Sequence, residues 1–161
     1  MTDDAVLVEF LRRSYQAVDG LWFVMVEEAL DFGTALDMDR RVWEVLAKIQ
    51  ARKARELLEI EGHRPEELER GFSMKLRADA YAFESAVVDG GVSITIAECP
   101  WLRILQRAKR DHLAAAIADV MCPTEGEAWA REFGDAYTFE VPEKACCGAA
   151  SCRMRFQPKG G

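Results

Sequence analysis

The residues best equipped for chemistry are five cysteines. Cys99 stands in Glu98-Cys99-Pro100-Trp101 and Cys122 in Met121-Cys122-Pro123, while Cys146, Cys147 and Cys152 crowd the stretch that begins at Glu143. The first is expected at a strand–helix junction, the second at a helix end, the rest between the last two strands. Such positions let ligands converge without spoiling a backbone ladder. Structural zinc takes four tetrahedral ligands, usually thiolates or imidazoles and sometimes a carboxylate. The chain offers four cysteines, or three with Glu143. Neighbours on an extended segment point apart, so one of Cys146 and Cys147 is expected to reach a given metal. Four cysteines could instead hold an iron–sulfur cluster, but the compact cysteine run typical of ferredoxins is missing. Taken singly, Cys99 and Cys122 read equally well as small buried hydrophobes.

A second group consists of large side chains. Trp22, Trp43, Trp101 and Trp129, with Tyr81, could line a pocket for a flat or aromatic ligand, although each alone reads as core. Glu27 follows the apolar run Leu21 to Val26, and a carboxylate in such surroundings would have a raised pKa. His63 and His112 have no ligand spacing and read as surface residues. Walker, dinucleotide-binding and nucleophile-elbow motifs are absent.

The elements that must position these residues change character near residue 78. Leu7, Phe10, Leu11 and Tyr15 predict a helix from about Asp3 to Val18. Asp19 is a natural N-cap for a second, from Gly20 to Phe32, closed by Gly33. That helix is apolar nearly all round at its start and should be covered. Asp37 or Asp39 can cap a long third helix, striped by Val42, Trp43, Leu46, Ile49, Ala54, Leu57 and Leu58 and ended at Gly62. Pro65 opens a short helix to about Phe72. Strands follow: Tyr81 to Val87 and Val92 to Ala97 alternate around Asp89-Gly90-Gly91, a hairpin signal. A helix is expected from Pro100 to Arg110 and another from Asp111 to Met121. Thr124 to Glu127 has capping-box spacing for a third, to Phe133. Tyr137 to Val141 and Ser151 to Phe156 read as the last strands.

The chain of 161 residues, with 50% hydrophobic and 30% charged residues, is sized and composed as one globular domain. Its net charge of −7 argues against general nucleic-acid binding. The start of the chain lacks a positive n-region and an unbroken apolar segment, and no apolar run approaches the roughly 20 residues of a membrane span. A cytoplasmic protein, without membrane or nucleic-acid partners, is expected, with thiols kept reduced.

Two resemblances follow from these residues. The spacing of Cys122, Glu143, Cys146 and Cys152, the last opening Cys152-Arg153-Met154-Arg155-Phe156, resembles the zinc site of the vinyl-4-reductase type small-molecule-binding domain. Asp19-Gly20-Leu21-Trp22-Phe23, Glu27-Glu28, Val42-Trp43, Cys99-Pro100-Trp101, Cys122, Trp129 to Phe133 and Cys152 are similar to a prokaryotic family related to L-2-amino-thiazoline-4-carboxylic acid hydrolase. The first implies zinc and a small-molecule ligand; the second carries no catalytic assignment.

The reading is an α+β fold, with a helical part (1–77) packed on an antiparallel sheet part (78–161) ordered β-β-α-α-β-β. The function it favours is a zinc-binding, small-molecule-binding domain. A metal- or thiol-assisted hydrolase of a small cyclic or amide-like substrate is the second reading. The third is an interaction module, dimeric through the N-terminal helices.

Overall fold

The computed structural model describes residues 3–160. Contacts divide the chain into two compact units, Met1–Arg41 and Val42–Gly161. The fold is α+β, with helices leading into an antiparallel sheet.

The first unit holds α1 (Asp3–Ala29) and the start of α2 (Phe32–Leu57). The break expected at Asp19-Gly20 does not occur, and α1 runs through it. One helical glycine costs only about 1 kcal/mol, less than a new pair of helix ends would leave unsatisfied. The turn falls at Asp31 instead. Its carboxylate accepts from the Thr34 N–H and the Thr34 hydroxyl, both at 2.8 Å, so Asp31 and not Asp37 or Asp39 opens the next helix. Gly33 then lies in that helix's first turn and closes nothing. Phe23 meets Phe32 edge-on at 5.8 Å across the turn.

In the second unit α2 ends at Leu57, before Gly62. Glu59 takes the left-handed conformation (φ 53°), and the Ile60 N–H returns to the Arg55 carbonyl at 2.8 Å. Helix α3 (Pro65–Ala78) runs well past Phe72, because Leu68, Phe72 and Leu76 form one buried stripe. It ends in the same way: Ala80 is left-handed (φ 66°) and the Tyr81 N–H reaches the Leu76 carbonyl at 3.0 Å. Strands β1 (Ala82–Val88) and β2 (Gly91–Glu98) form the expected hairpin. Helix α4 (Pro100–Arg107) stops early at a left-handed Lys109. The two helices expected next are one, α5 (Ala114–Glu132), with Pro123 inside it. Proline removes a backbone donor there; Thr124, expected as a cap, instead donates its hydroxyl to the Val120 carbonyl at 2.8 Å. Strands β3 (Tyr137–Glu143) and β4 (Cys152–Pro158) complete a sheet in the order β1-β2-β4-β3.

The core lies on one face of this sheet. Val92, Ile94 and Ile96 of β2 face Phe156, Met154 and Cys152 of β4 across the ladder. They bury Ala47, Ala51 and Ala54 of α2, the stripe of α3, and Trp129 and Phe133 near the end of α5. Helix α5 approaches β3 closely at Gly126, where an added Cβ would lie 2.2 Å from the Phe139 ring. On the other face, Arg155–Glu140 (3.5 Å) and Arg153–Glu143 (3.2 Å) pair across strands.

Candidate functional site

Four elements deliver polar side chains to one end of the core. Lys75 sits on the buried side of α3, three residues after Phe72. Its ammonium lies 3.2 Å from Asp79, one turn on, and 2.5 Å from Glu125 of α5. The Lys75 and Asp79 side chains are only 4% and 6% exposed. Three rings surround the ammonium: Tyr81 at 5.2 Å, Phe72 at 5.8 Å and Trp43 at 5.9 Å. Trp43 is in turn met edge-on by Trp101 of α4, at 5.4 Å.

One cation serves two carboxylates here, and this sets the charge of the cluster. Burial pushes the Lys75 ammonium down, but Glu125 and Asp79 together outweigh it, so its pKa is raised and it stays charged. Burial pushes Glu125 up, and Lys75 only partly offsets this, so Glu125 holds a proton more readily than an exposed glutamate. A desolvated Lys–Asp–Glu group is costly to assemble and is weak evidence for stability. It is the kind of perturbed, enclosed group that marks functional sites.

The thiols flank this cluster. Cys99 caps the start of α4 directly after β2, Cys122 precedes Glu125 by three residues on α5, and Cys152 opens β4 beside Ile96. Cys152 lies close enough to raise Cys99, and Cys99 and Cys152 both raise Cys122. Burial pushes the Cys99 thiol up, and the Leu102 and Trp101 N–H groups oppose this. Burial, then Glu125, pushes Cys122 up to about 12. The Tyr81 phenol is raised by burial and by the same neighbours. At neutral pH Cys99, Cys122 and Tyr81 are therefore neutral groups facing a charged triad.

A groove of about 280 Å³ opens beside Cys99 and Cys152. Ile96 and Leu102 give it apolar walls, Ala145 and Gln106 close it, and Arg103 pairs with Glu98 at its rim at 2.5 Å. The Ala145 N–H donates to the Cys152 sulfur at 3.2 Å.

The structure thus brings together Cys99, Cys122, Cys152, Tyr81, Trp43 and Trp101 from the residues singled out in the sequence. Cys146 and Cys147 form a short turn, Cys147 exposed and Cys146 raised to about 11 by burial and then by Cys147. Glu143 is exposed and pairs with Arg153. Trp129 is ordinary core, stacked on Phe133 and edge-on to Phe72. Trp22, 69% exposed, and Glu27 lie on α1 in the other unit. Cys122, expected at a helix end, is inside α5. Among the described residues no three Cys, His, Asp or Glu side chains form a group that could hold a metal ion. No described helix is long and apolar enough to cross a membrane.

Lys75, Asp79 and Glu125 were not legible as site residues. The available signal was a charged pair at i, i+4 that continues the apolar stripe Leu68–Phe72.

The model of a family of unknown function, DUF6125, matches residues 3–136. The chain belongs to this family. The DUF6125 match includes Lys75, Asp79, Tyr81, Cys99, Cys122 and Glu125 and stops before β3. No curated protein matches the chain. Among solved structures, the chain is similar to the phenol-responsive sensory domain of the transcription activator PoxR, crystallised with phenol. Identity is 12%, the TM-score is 0.57, and the match covers 88% of this chain and 73% of that one. At that identity the likeness extends to the fold.

Proposed function

We propose that the 42–161 unit is a small-molecule-binding domain whose ligand occupies the groove beside Cys99 and Cys152. The observation that carries this is the groove itself: about 280 Å³, with apolar walls at Ile96 and Leu102, and lined by Cys99, which bonds Tyr81 beside the buried Lys75–Asp79–Glu125 cluster. Its volume lies just below the roughly 300–1,000 Å³ of drug-sized sites. Its one cation, Arg103, is already neutralised by Glu98. Its thiol Cys99 is held neutral. These features favour a small uncharged ring, with the Cys99 and Cys152 thiols and the Gln106 amide as hydrogen-bond partners. The fold shared with a phenol-responsive sensory domain supports the same reading. Protonated thiols are poor nucleophiles, which sets the thiol-assisted hydrolase reading behind this one.

Calorimetric titration with phenol, catechol and benzoate tests it. Phenol or catechol is expected to bind saturably, benzoate more weakly, and Leu102→Trp, which fills the slot, is expected to abolish binding while the circular dichroism spectrum is unchanged. Equal binding by the filled variant, or binding of none of the three, would overturn the assignment.

A further inference from the structure

The outer surface of α1 is built the wrong way round for a helix facing water. Leu7, Phe10, Leu11, Val18, Leu21, Trp22 and Met25 are 52–69% exposed, and α1 has no buried residue at all. Its half-covered residues include polar Glu9, Arg12, Gln16, Asp19 and Glu27 beside Tyr15, Phe23, Val24 and Val26. The exposed apolar residues are also ordered. Leu7, Leu11, Ser14, Val18, Leu21 and Met25 follow alternating steps of four and three, the spacing of a seam between packed helices. Val8, Phe10 and Trp22, also exposed, flank that seam where a two-stranded coiled coil would carry charges. They widen it into a sheet-like apolar face suited to a bundle.

We infer that this face of α1 is covered by α1 of a second copy of the chain, antiparallel about a twofold axis near Gln16. Size is the first argument. Seven such side chains, each more than half exposed, present on the order of 700 Å², close to the ~800 Å² each partner gives to a standard interface. Self-complementarity is the second. The antiparallel pairing sets Leu7 against Met25, Phe10 against Trp22, Leu11 against Leu21 and Ser14 against Val18, so each bulky end meets a bulky end. Ser14 and Ala17, the small residues, fall at the crossing, where close approach is needed. Charge also selects against a lipid surface. Residues 3–41 carry nine carboxylates and four arginines with no lysine, whereas helices lying in an anionic membrane surface have a basic polar face. An isologous contact of this kind closes at two copies.

Sedimentation of the full chain at micromolar concentrations tests the inference independently of the groove, because it needs no ligand. The wild-type chain is expected at twice its 18.1 kDa mass. Leu11→Asp combined with Leu21→Asp is expected to raise the dissociation constant at least about 100-fold. Both residues are exposed in the single chain, so its circular dichroism should not change. Phe10→Glu, at one end of the register, should weaken the dimer as well, which guards against a fault peculiar to the double variant. A monomeric wild-type chain, an undiminished dimer in either variant, or cosedimentation with vesicles of phosphatidylcholine and phosphatidylglycerol in place of self-association would overturn it.

Discussion

Replacing Lys75 by methionine removes the one cation from a site that holds two carboxylates. The methionine is nearly isosteric and apolar, so packing against Trp43, Phe72 and Tyr81 should survive. The electrostatics should not. Asp79 and Glu125 would be left facing each other with side chains 6% and 13% exposed. Breaking a buried ion pair from one side costs about 3–5 kcal/mol. For a chain of this size each kcal/mol moves Tm by roughly 2–4 °C, so a fall of roughly 10 °C or more at neutral pH is expected. The pH dependence carries the sharper test. Glu125 is already raised above its ordinary 4.5 in the native state, so the folded chain binds a proton that the unfolded chain releases. A raised carboxyl of this kind stabilises the fold as pH falls through the window between its folded and unfolded pKa, and that stability is lost as pH rises. Lys75 works the other way in pH. Its raised pKa contributes stability that is complete below 10.5 and lost above it. Lys75→Met abolishes the alkaline loss and, by letting Glu125 rise further, enlarges the gain on acidification. Its deficit against wild type should therefore shrink as pH is lowered toward 5. Adding Glu125→Gln should recover part of the loss at neutral pH, since a single carboxylate then remains. Urea unfolding of the three chains between pH 5 and 9 gives the comparison. A Lys75→Met deficit below about 1 kcal/mol that does not vary with pH would show that the cluster is hydrated, and the argument for an enclosed charged site would fall.

Two further outcomes follow from the packing and the thiols. Gly126→Ala should destabilise by about 1–3 kcal/mol in a denaturant titration, since its Cβ would lie 2.2 Å from the Phe139 ring and β3 must move away from α5. An unchanged midpoint would mean that the ring gives way freely. Mass-resolved alkylation with iodoacetamide at pH 8 should modify exposed Cys147 first and Cys122, its thiol pushed up to about 12, last. Early labelling of Cys122 would contradict the enclosed site.

The sheet was legible because period-2 patterning and glycine turns are local signals. Val92, Ile94 and Ile96 alternate with polar residues in the sequence and are buried in the structure. The hairpin at Asp89-Gly90 forms where its turn residues put it. Helix ends were the weak point, for one physical reason. Glycine is the expected left-handed residue at a helix C-terminus, yet α2, α3 and α4 end on left-handed Glu59, Ala80 and Lys109. Each end is closed by the same return hydrogen bond, to Arg55, Leu76 and Leu105. Non-glycine residues accept about 1–2 kcal/mol of strain there, so the reading moved to nearby signals such as Gly62. Internal punctuation misled in the opposite sense. Gly20 and Pro123 both lie inside helices, where packing or side-chain hydrogen bonds outweigh the local preference.

These two errors explain why the charged third of the candidate site was missed. Ending the helix opened by Pro65 at Phe72 left Lys75 and Asp79 in a loop, where a lysine and an aspartate have no reason to meet. Breaking the last helix at Pro123 put Glu125 in the first turn of a separate helix capped by Thr124 and Glu127, where it had no partner to face. With both helices continuous, Lys75 and Asp79 share a turn of α3 and Glu125 faces them from α5. The cysteines fared better because strand ends fixed two of them. Cys99 follows β2 and Cys152 opens β4, and β2 and β4 are paired neighbours, so the ladder alone places both thiols at one end of the sheet. A site assembled from helix interiors thus depends on correct helix lengths, whereas one assembled from strand ends needs only the pairing. Residue 75 is the place where the difference decided what could be seen.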